Sequence, residues 1–277
     1  MLCACNHSLR PAPEGGPSHT QPAAYVILDS TVSVRSIAPG LWMHVTFDPT
    51  TGYLSNGMLL EAEDETILFD TAWDDRQTNL LLGWAASTLG KPVRRAVITH
   101  AHNDRLGGLG ALRRAGVMAT ALAATVDRAV AEGLVARAAT APVPGGGTAD
   151  AATVLDSIPG LTQSPKRDAA GFELFFPGRG HSPDNIVVYY AQSRVLFGGC
   201  LIKPDTATTT GNVADADIDA WPRAVARVAE KFPDAATVVP GHGAVSGRTA
   251  YSVTQTIITE KGPAAVEARR RPRNRQP

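Results

Sequence analysis

The chain has 277 residues, enough for one sizeable core, and its 44% apolar and 19% charged residues are ordinary for a soluble globular protein. Lysine plus arginine equals aspartate plus glutamate, 26 each, so no global field draws it to nucleic acid or to a membrane surface. No apolar run approaches the roughly 20 residues that span a bilayer, and no charged and apolar secretory regions precede Leu2.

Residues 1–30 are rich in Pro, Gly, Ser and His without periodicity and read as a flexible leader. Leu2-Cys3-Ala4-Cys5 has the form of a lipoprotein cleavage box with Cys5 as the lipidated residue; the alternative is an accidental cysteine pair. Short strand-like runs begin at Val34 and continue at 41–47, 58–62 and 66–69, with 48–57 read as a hairpin loop. A helix is predicted over 74–89, with Asp74 and Asp75 in its first turn and Leu81, Trp84, Ala85 and Leu89 on one face. A buried-type strand over 93–99 runs directly into His100. Helices are expected over 105–116 and 124–132, and a loop over 142–147. Strands follow at 172–176, 186–191 and 194–197, then a helix over 218–231, a strand over 236–239 and a helix over 250–260. Residues 263–277, which include Arg269, Arg270, Arg271, Arg273 and Arg275, read as a disordered basic tail. Two groups of strands, each followed by helices, suggest two packed sheets with helices outside, in a single domain over 31–262.

The chemistry is carried by His100-Ala101-His102-Asn103-Asp104, His181, Cys200 and His242. These residues are six donors of the types zinc prefers, too many for one tetrahedral ion and the right number for two ions that each keep an open position. Each follows a strand-like run, where a rigid element hands over to a loop, and glycines flank nearly all of them. A lone histidine after a strand, or a lone cysteine in an apolar run, is usually structural; the conjunction of all six is what points to metal. Of the seven histidines, His7, His19 and His44 fall outside this pattern.

Several segments carry a resemblance to a known family. They are residues 68–73 (Leu-Phe-Asp-Thr-Ala-Trp), 99–105 (Thr-His-Ala-His-Asn-Asp-Arg) and 177–185 (Pro-Gly-Arg-Gly-His-Ser-Pro-Asp-Asn). Residues 197–203 (Phe-Gly-Gly-Cys-Leu-Ile-Lys), 211–217 (Gly-Asn-Val-Ala-Asp-Ala-Asp) and 239–243 (Val-Pro-Gly-His-Gly) complete the set. With these the chain resembles the metallo-β-lactamase superfamily, and within it the subclass B1 metallo-β-lactamases. The resemblance implies an α/β fold, the four-layer αβ/βα sandwich with two mixed sheets face to face and helices outside. It also implies two Zn2+ ions, the first held by His100, His102 and His181 and the second by Asp104, Cys200 and His242. Thiolesterases of this fold carry a histidine where Arg105 stands and an aspartate where Cys200 stands, which sets this chain apart from them.

By the same resemblance the expected activity is zinc-dependent hydrolysis of the β-lactam amide of penicillins, cephalosporins and carbapenems, giving antibiotic resistance, with zinc-activated water as nucleophile. A thioester or lactone hydrolase is the alternative. Asp104 would fix the nucleophile and the ion geometry, and Arg105 would steady the negative ligands, with Asp70 as a further buried carboxylate nearby. Lys203 is expected to receive the substrate carboxylate, Asn212 to donate to the carbonyl oxyanion, and Trp73 to wall the pocket. Residues 47–54 would form the hairpin over the substrate, with Phe47 and Tyr53 as its apolar face. A periplasmic monomer, attached to membrane only through a lipid at Cys5, completes the expectation.

Overall fold

A computed structural model describes residues 25–136 and 155–270. The leader up to residue 24, with Cys3 and Cys5, the loop expected at 142–147 and the last seven residues lie outside the described residues.

The first sheet has eight strands in chain order: β1 Val26–Ile27, β2 Val32–Ala38, β3 Leu41–Asp48, β4 Tyr53–Glu61, β5 Thr66–Phe69, β6 Val93–Ile98, β7 Met118–Ala121 and β8 Leu155–Ser157. It is antiparallel from β1 to β5 and parallel from β5 to β8. The second sheet is ordered β13-β12-β11-β10-β9, from β9 Lys166–Arg167, β10 Phe172–Phe175, β11 Val187–Tyr190, β12 Val195–Gly199 and β13 Thr237–Pro240. Only β12 and β13 run parallel there.

Alternation along the strands gives each sheet two apolar faces. Met43, Met58, Leu60, Ile67 and Phe69 of the first sheet meet Phe172, Leu174, Val188, Val195 and Phe197 of the second, forming the central layer. The outer face of the first sheet packs on α1 (Asp75–Trp84), α3 (Leu109–Arg114) and α4 (Ala123–Ala131) through Leu59, Leu68, Leu81, Leu112 and Ala129. The outer face of the second packs on α5 (Trp221–Lys231) and α6 (Thr249–Arg270) through Val187, Leu196, Trp221, Val225 and Ile258. Helix, sheet, sheet, helix: this is the αβ/βα sandwich.

Several boundaries move from their sequence-based positions for identifiable reasons. Residues 25–30, assigned to the leader, enter the first sheet because β1 pairs with β2 and the Asp29 carboxylate accepts from the Thr31 and Val32 amides at 2.7 and 2.8 Å. The 48–57 loop shrinks to a turn over 49–52. Asn56 and Gly57 belong to β4, where Gly57 leaves room for the His44 ring; a Cβ there would lie 2.1 Å from His44 Nε2. The helix expected over 105–116 divides into α2 (Asn103–Leu106) and α3, with Gly107-Gly108 between them. Helix α1 continues as a π-helical turn over Ala85–Leu89. Helix α6 runs to Arg270, past the 262 boundary, because Ala265 and Val266 still pack on the outer core. Strand β7, Met-Ala-Thr-Ala, carries little strand propensity and is held by parallel pairing with β6.

The central layer depends on Phe69, 2% exposed, whose ring meets that of Phe172 edge-to-face at 5.1 Å. Phe69→Ala is expected to cost about 3–5 kcal/mol, read as a fall in the urea unfolding midpoint at unchanged slope.

Candidate metal centre

All the functional loops leave the same edge of the sandwich because the strands that feed them run parallel. β5 and β6 end at Asp70 and His100 in the first sheet, and β12 and β13 end at Cys200 and His242 in the second. A bulge between Phe197 and Gly199 turns the chain into Cys200. The Asn56 amide clamps the two sheets at this edge: its Nδ2 donates to the carbonyls of Pro240 and Gly243 at 2.9 and 2.8 Å. Gly241 is required by close approach, since a Cβ there would lie 2.7 Å from Cys200 Sγ, Cys200 N and Arg105 Nη2.

The six sequence-predicted ligands form two clusters, His100 with His102 and His181, and Asp104 with Cys200 and His242; within each, the donor atoms lie within 4.8 Å of one another. In the first, His100 Nε2 and His181 Nε2 stand 3.0 and 3.2 Å from His102 Nδ1. In the second, His242 Nε2 is 3.2 Å from both Cys200 Sγ and Asp104 Oδ2, and Asp104 Oδ2 is 3.8 Å from the sulfur. A tetrahedral zinc site with bonds of roughly 2.0–2.3 Å sets its donors about 3.3–3.8 Å apart. Both clusters are therefore close to the required size.

The hydrogen-bond partners of the rings decide which nitrogens are free. His102 Nε2 lies 2.8 Å from Asp215 Oδ2 and carries its proton there, which leaves Nδ1 as a lone pair. His242 Nδ1 donates to the Leu54 carbonyl at 2.6 Å, which turns its Nε2 toward Asp104 and Cys200. His100 Nδ1 faces Thr99 Oγ1 at 3.2 Å, and that hydroxyl in turn donates to Asp70 Oδ2 at 2.8 Å. Burial, with the neighbouring positive groups, holds His100 and His181 well below the usual imidazole range, and both are neutral as ligands must be.

Charge in the second cluster is set by Arg105, which is wholly buried. Its Nη2 lies 2.9 Å from Asp104 Oδ2, 3.0 Å from Cys200 Sγ and 2.9 Å from the Gly241 carbonyl; its Nη1 faces Asp70 Oδ2 at 3.3 Å and the Asn56 carbonyl. Burial works against the Asp104 charge, but Arg105 and His242 hold its carboxyl well below the ordinary value. Against burial, Cys200 and Asp104 push His242 up to about 10. Arg105 and the raised His242 thus offset the negative groups of this cluster, and a metal ion entering it would take the place of the His242 proton. The donor set and its spacing fit zinc.

Asp70 sits at the corner between β5 and α1 with φ of 62°, a left-handed conformation uncommon outside glycine. Its Oδ1 accepts from the Thr99 amide at 2.7 Å, which orients the start of the ligand loop. Lys203 is 8% exposed, with its Nζ 5.2 Å from the Trp221 ring centre. That indole also faces the His181 ring at 5.4 Å. The loop bearing Asn212 passes over Lys203, a Cβ on Gly211 lying 3.3 Å from Nζ. Asn212 itself is exposed and its Oδ1 accepts from the Ala214 amide at 3.0 Å, leaving its Nδ2 as the donor end. Trp73 is half-buried beside the His102 loop, its indole donating to the Thr46 carbonyl and its own carbonyl accepting from Asn103. At the hairpin tip Phe47 pairs with Leu54, while Tyr53 pairs with Asp48 on the opposite face. The apolar pair on one face is therefore Phe47 and Leu54, not Phe47 and Tyr53.

Asp215, Asp184, Arg128, Asn56 and Trp221 were not singled out by sequence reasoning. Asp184 and Asp215 lie inside motif segments and were within reach of it; Arg128, one arginine on a helix, gives no sequence signal. His44 fell outside the ligand pattern, and it packs beneath the site. It is fully buried, donates from Nε2 to the Asp70 carbonyl at 3.2 Å and has no partner for Nδ1, so burial holds its pKa at about 4. A depressed histidine pKa favours folding when neutral, so this contribution is complete above pH 6.5 and is lost as pH falls toward 4. Metal-free protein should lose roughly 3 kcal/mol more stability over that interval than the His44→Gln variant, measured by urea unfolding at each pH.

The model of the Metallo-beta-lactamase superfamily matches residues 50–242. A metallo-beta-lactamase type 2 of Bacteroides fragilis is 35% identical over 239 residues, 85% of this chain and 88% of that protein. The type 2 enzyme of Bacillus cereus is 34% identical over 79% of each chain. A crystal structure of the metallo-beta-lactamase FIM-1 from Pseudomonas aeruginosa, in its mono-zinc form, superposes with a TM-score of 0.73 at 36% identity, covering 84% of this chain and 97% of that one. The ligand clusters, the sandwich that presents them and these likenesses converge, and the chain belongs to the metallo-β-lactamase superfamily.

Proposed function

We propose that this protein hydrolyses the amide bond of β-lactam antibiotics with two zinc ions, one in each three-residue cluster. The observation that carries the reading is the pair of clusters at one sheet edge, one of three imidazoles and one of carboxylate, sulfur and imidazole. His100 and Asp104 lie close enough to influence each other's ionisation, so the two clusters share one site. Zinc bound there supplies water that ionises near neutral pH and an electrophile for a carbonyl oxygen.

The protein's own groups bind and orient the substrate. Lys203, nearly buried beside the clusters, offers an ammonium to the carboxylate that bicyclic β-lactams carry. Asn212, on the loop above Lys203, can donate its amide to the oxygen where negative charge develops. Asp104 keeps its charge through Arg105 and aligns the second cluster. The Phe47–Leu54 face of the hairpin and Trp73 give apolar cover at the rim, with Leu54 exposed and its carbonyl fixing His242. Covalent catalysis by Cys200 is disfavoured, because its sulfur is buried, 2% exposed for the residue, and engaged by Arg105 and His242. A thioester or lactone hydrolase of the same fold is not favoured: Arg105 and Cys200 supply a guanidinium and a sulfur where such enzymes carry oxygen and imidazole ligands.

Nitrocefin turnover should disappear on exhaustive chelation and return with zinc, and elemental analysis of active protein should find two zinc ions per chain. Turnover that survives chelation, or a thioester hydrolysed faster than nitrocefin, would overturn the reading. Lys203→Ala is expected to raise KM about 10-fold for carboxylate-bearing penicillins, carbapenems and cephalosporins with a smaller effect on kcat, consistent with lost ground-state binding of roughly 1.4 kcal/mol. Steady-state kinetics over the three drug classes reads this directly.

A further inference from the structure

Arg128 lies in the last turn of α4, outside the ligand set, and its guanidinium reaches two carboxylates that support the histidine cluster. Its Nη2 is 2.9 Å from Asp215 Oδ2, the same oxygen that accepts from His102 Nε2. Its buried Nε faces Asp184 Oδ1 at 3.7 Å. Asp184 is fully buried, and its other oxygen accepts from the Ala101 amide at 2.8 Å, between His100 and His102. Asp184 also lies three residues after His181, in the same loop. The remaining charged partner of Arg128, Glu132, is its i,i+4 neighbour at 3.1 Å on the exposed side of the helix.

One cation therefore touches the supports of all three histidine-bearing segments. Through Asp215 it fixes the acceptor that sets the His102 tautomer. At Asp184 it makes no hydrogen bond, but its Nε at 3.7 Å sets a positive charge beside the carboxylate that holds the backbone between His100 and His102 and lies in the loop that carries His181. The 211–217 loop is held at a second point by the Asp217 amide, which donates to the Gly180 carbonyl at 2.9 Å, so a grip on Asp215 also limits where Asn212 can lie. Without Arg128, Asp184 would be left fully buried with one amide as its partner, and such a group relaxes by shifting or by drawing in water.

We infer that Arg128 is a positioning residue that holds the three-histidine cluster and the Asn212 loop in register through Asp184 and Asp215. The inference rests on the histidine cluster binding metal, as proposed above, and its test reads the two clusters separately. Metal-free full-length protein is titrated with cobalt(II), in which the histidine cluster reports through d–d bands and Cys200 through a sulfur-to-metal charge-transfer band. Affinity at each is obtained by competition with a chromophoric chelator. Arg128→Met should weaken binding at the histidine cluster roughly 10-fold and shift its d–d bands, with the Cys200 band unchanged. Arg128→Lys should recover part of the loss, because an ammonium still reaches Asp215 but leaves no second nitrogen beside Asp184. Arg128→Met combined with Asp215→Asn should be little weaker than Asp215→Asn alone, as expected when one residue acts through the other.

The inference is overturned if Arg128→Met binds cobalt like the wild type, if both clusters weaken in parallel, or if the two substitutions add. Wild-type protein that bound cobalt without histidine-cluster bands would instead remove the metal reading of that site.

Discussion

The buried guanidinium of Arg105 is the interaction on which the site depends. It is enclosed by Asp70, Asp104 and Cys200 and by the carbonyls of Asn56 and Gly241, so it joins the ends of β4, β5 and β13 and the turn after β12. A charge removed from water is tolerable where its donors are met, and here both terminal nitrogens meet fixed groups while the buried Nε has no partner. Removing it would leave Asp70 and Asp104 without their common partner at zero or near-zero exposure. The same cation, together with the raised His242, offsets the negative charge of Asp104.

The two clusters are supported differently. The carboxylate, sulfur and imidazole group is organised by one cation at its centre. The three-imidazole group is organised by anions at its periphery, Asp215 behind His102 and Asp184 behind Ala101, with a threonine and Asp70 behind His100. Hydrogen bonding behind a ring fixes both its orientation and the nitrogen that remains free. The scaffold lets both arrangements meet at one edge: parallel strands in each sheet deliver their loops in the same direction, and Asn56 ties the sheets together there.

The candidate ligands were legible because zinc chemistry restricts donors to a few side-chain types and because the loops that carry them follow apolar strands that periodicity reveals. His100, His102, Asp104, His181, Cys200 and His242 could be named for that reason. The limits were equally physical. Asn56 and Gly57 read as loop formers, yet one satisfies its amide across the sheets and the other makes room for His44, so both stay in β4. Strand β7 has weak propensity and exists through its neighbours. Tyr53 shares hydrophobicity with Phe47, but strand register sends the two side chains to opposite faces.

The sequence by itself determined the donor types, their order and the strand-to-loop context of each, because covalent order and apolar periodicity are written locally. The sequence, through its resemblance, also put Arg105 beside Asp104 and Cys200, as the structure has it; only the tertiary structure decided that Asp215 stands behind His102 and that Arg128 lies beside both Asp184 and Asp215. Those contacts join residues up to 113 positions apart, and such pairings follow from how the two sheets close on each other.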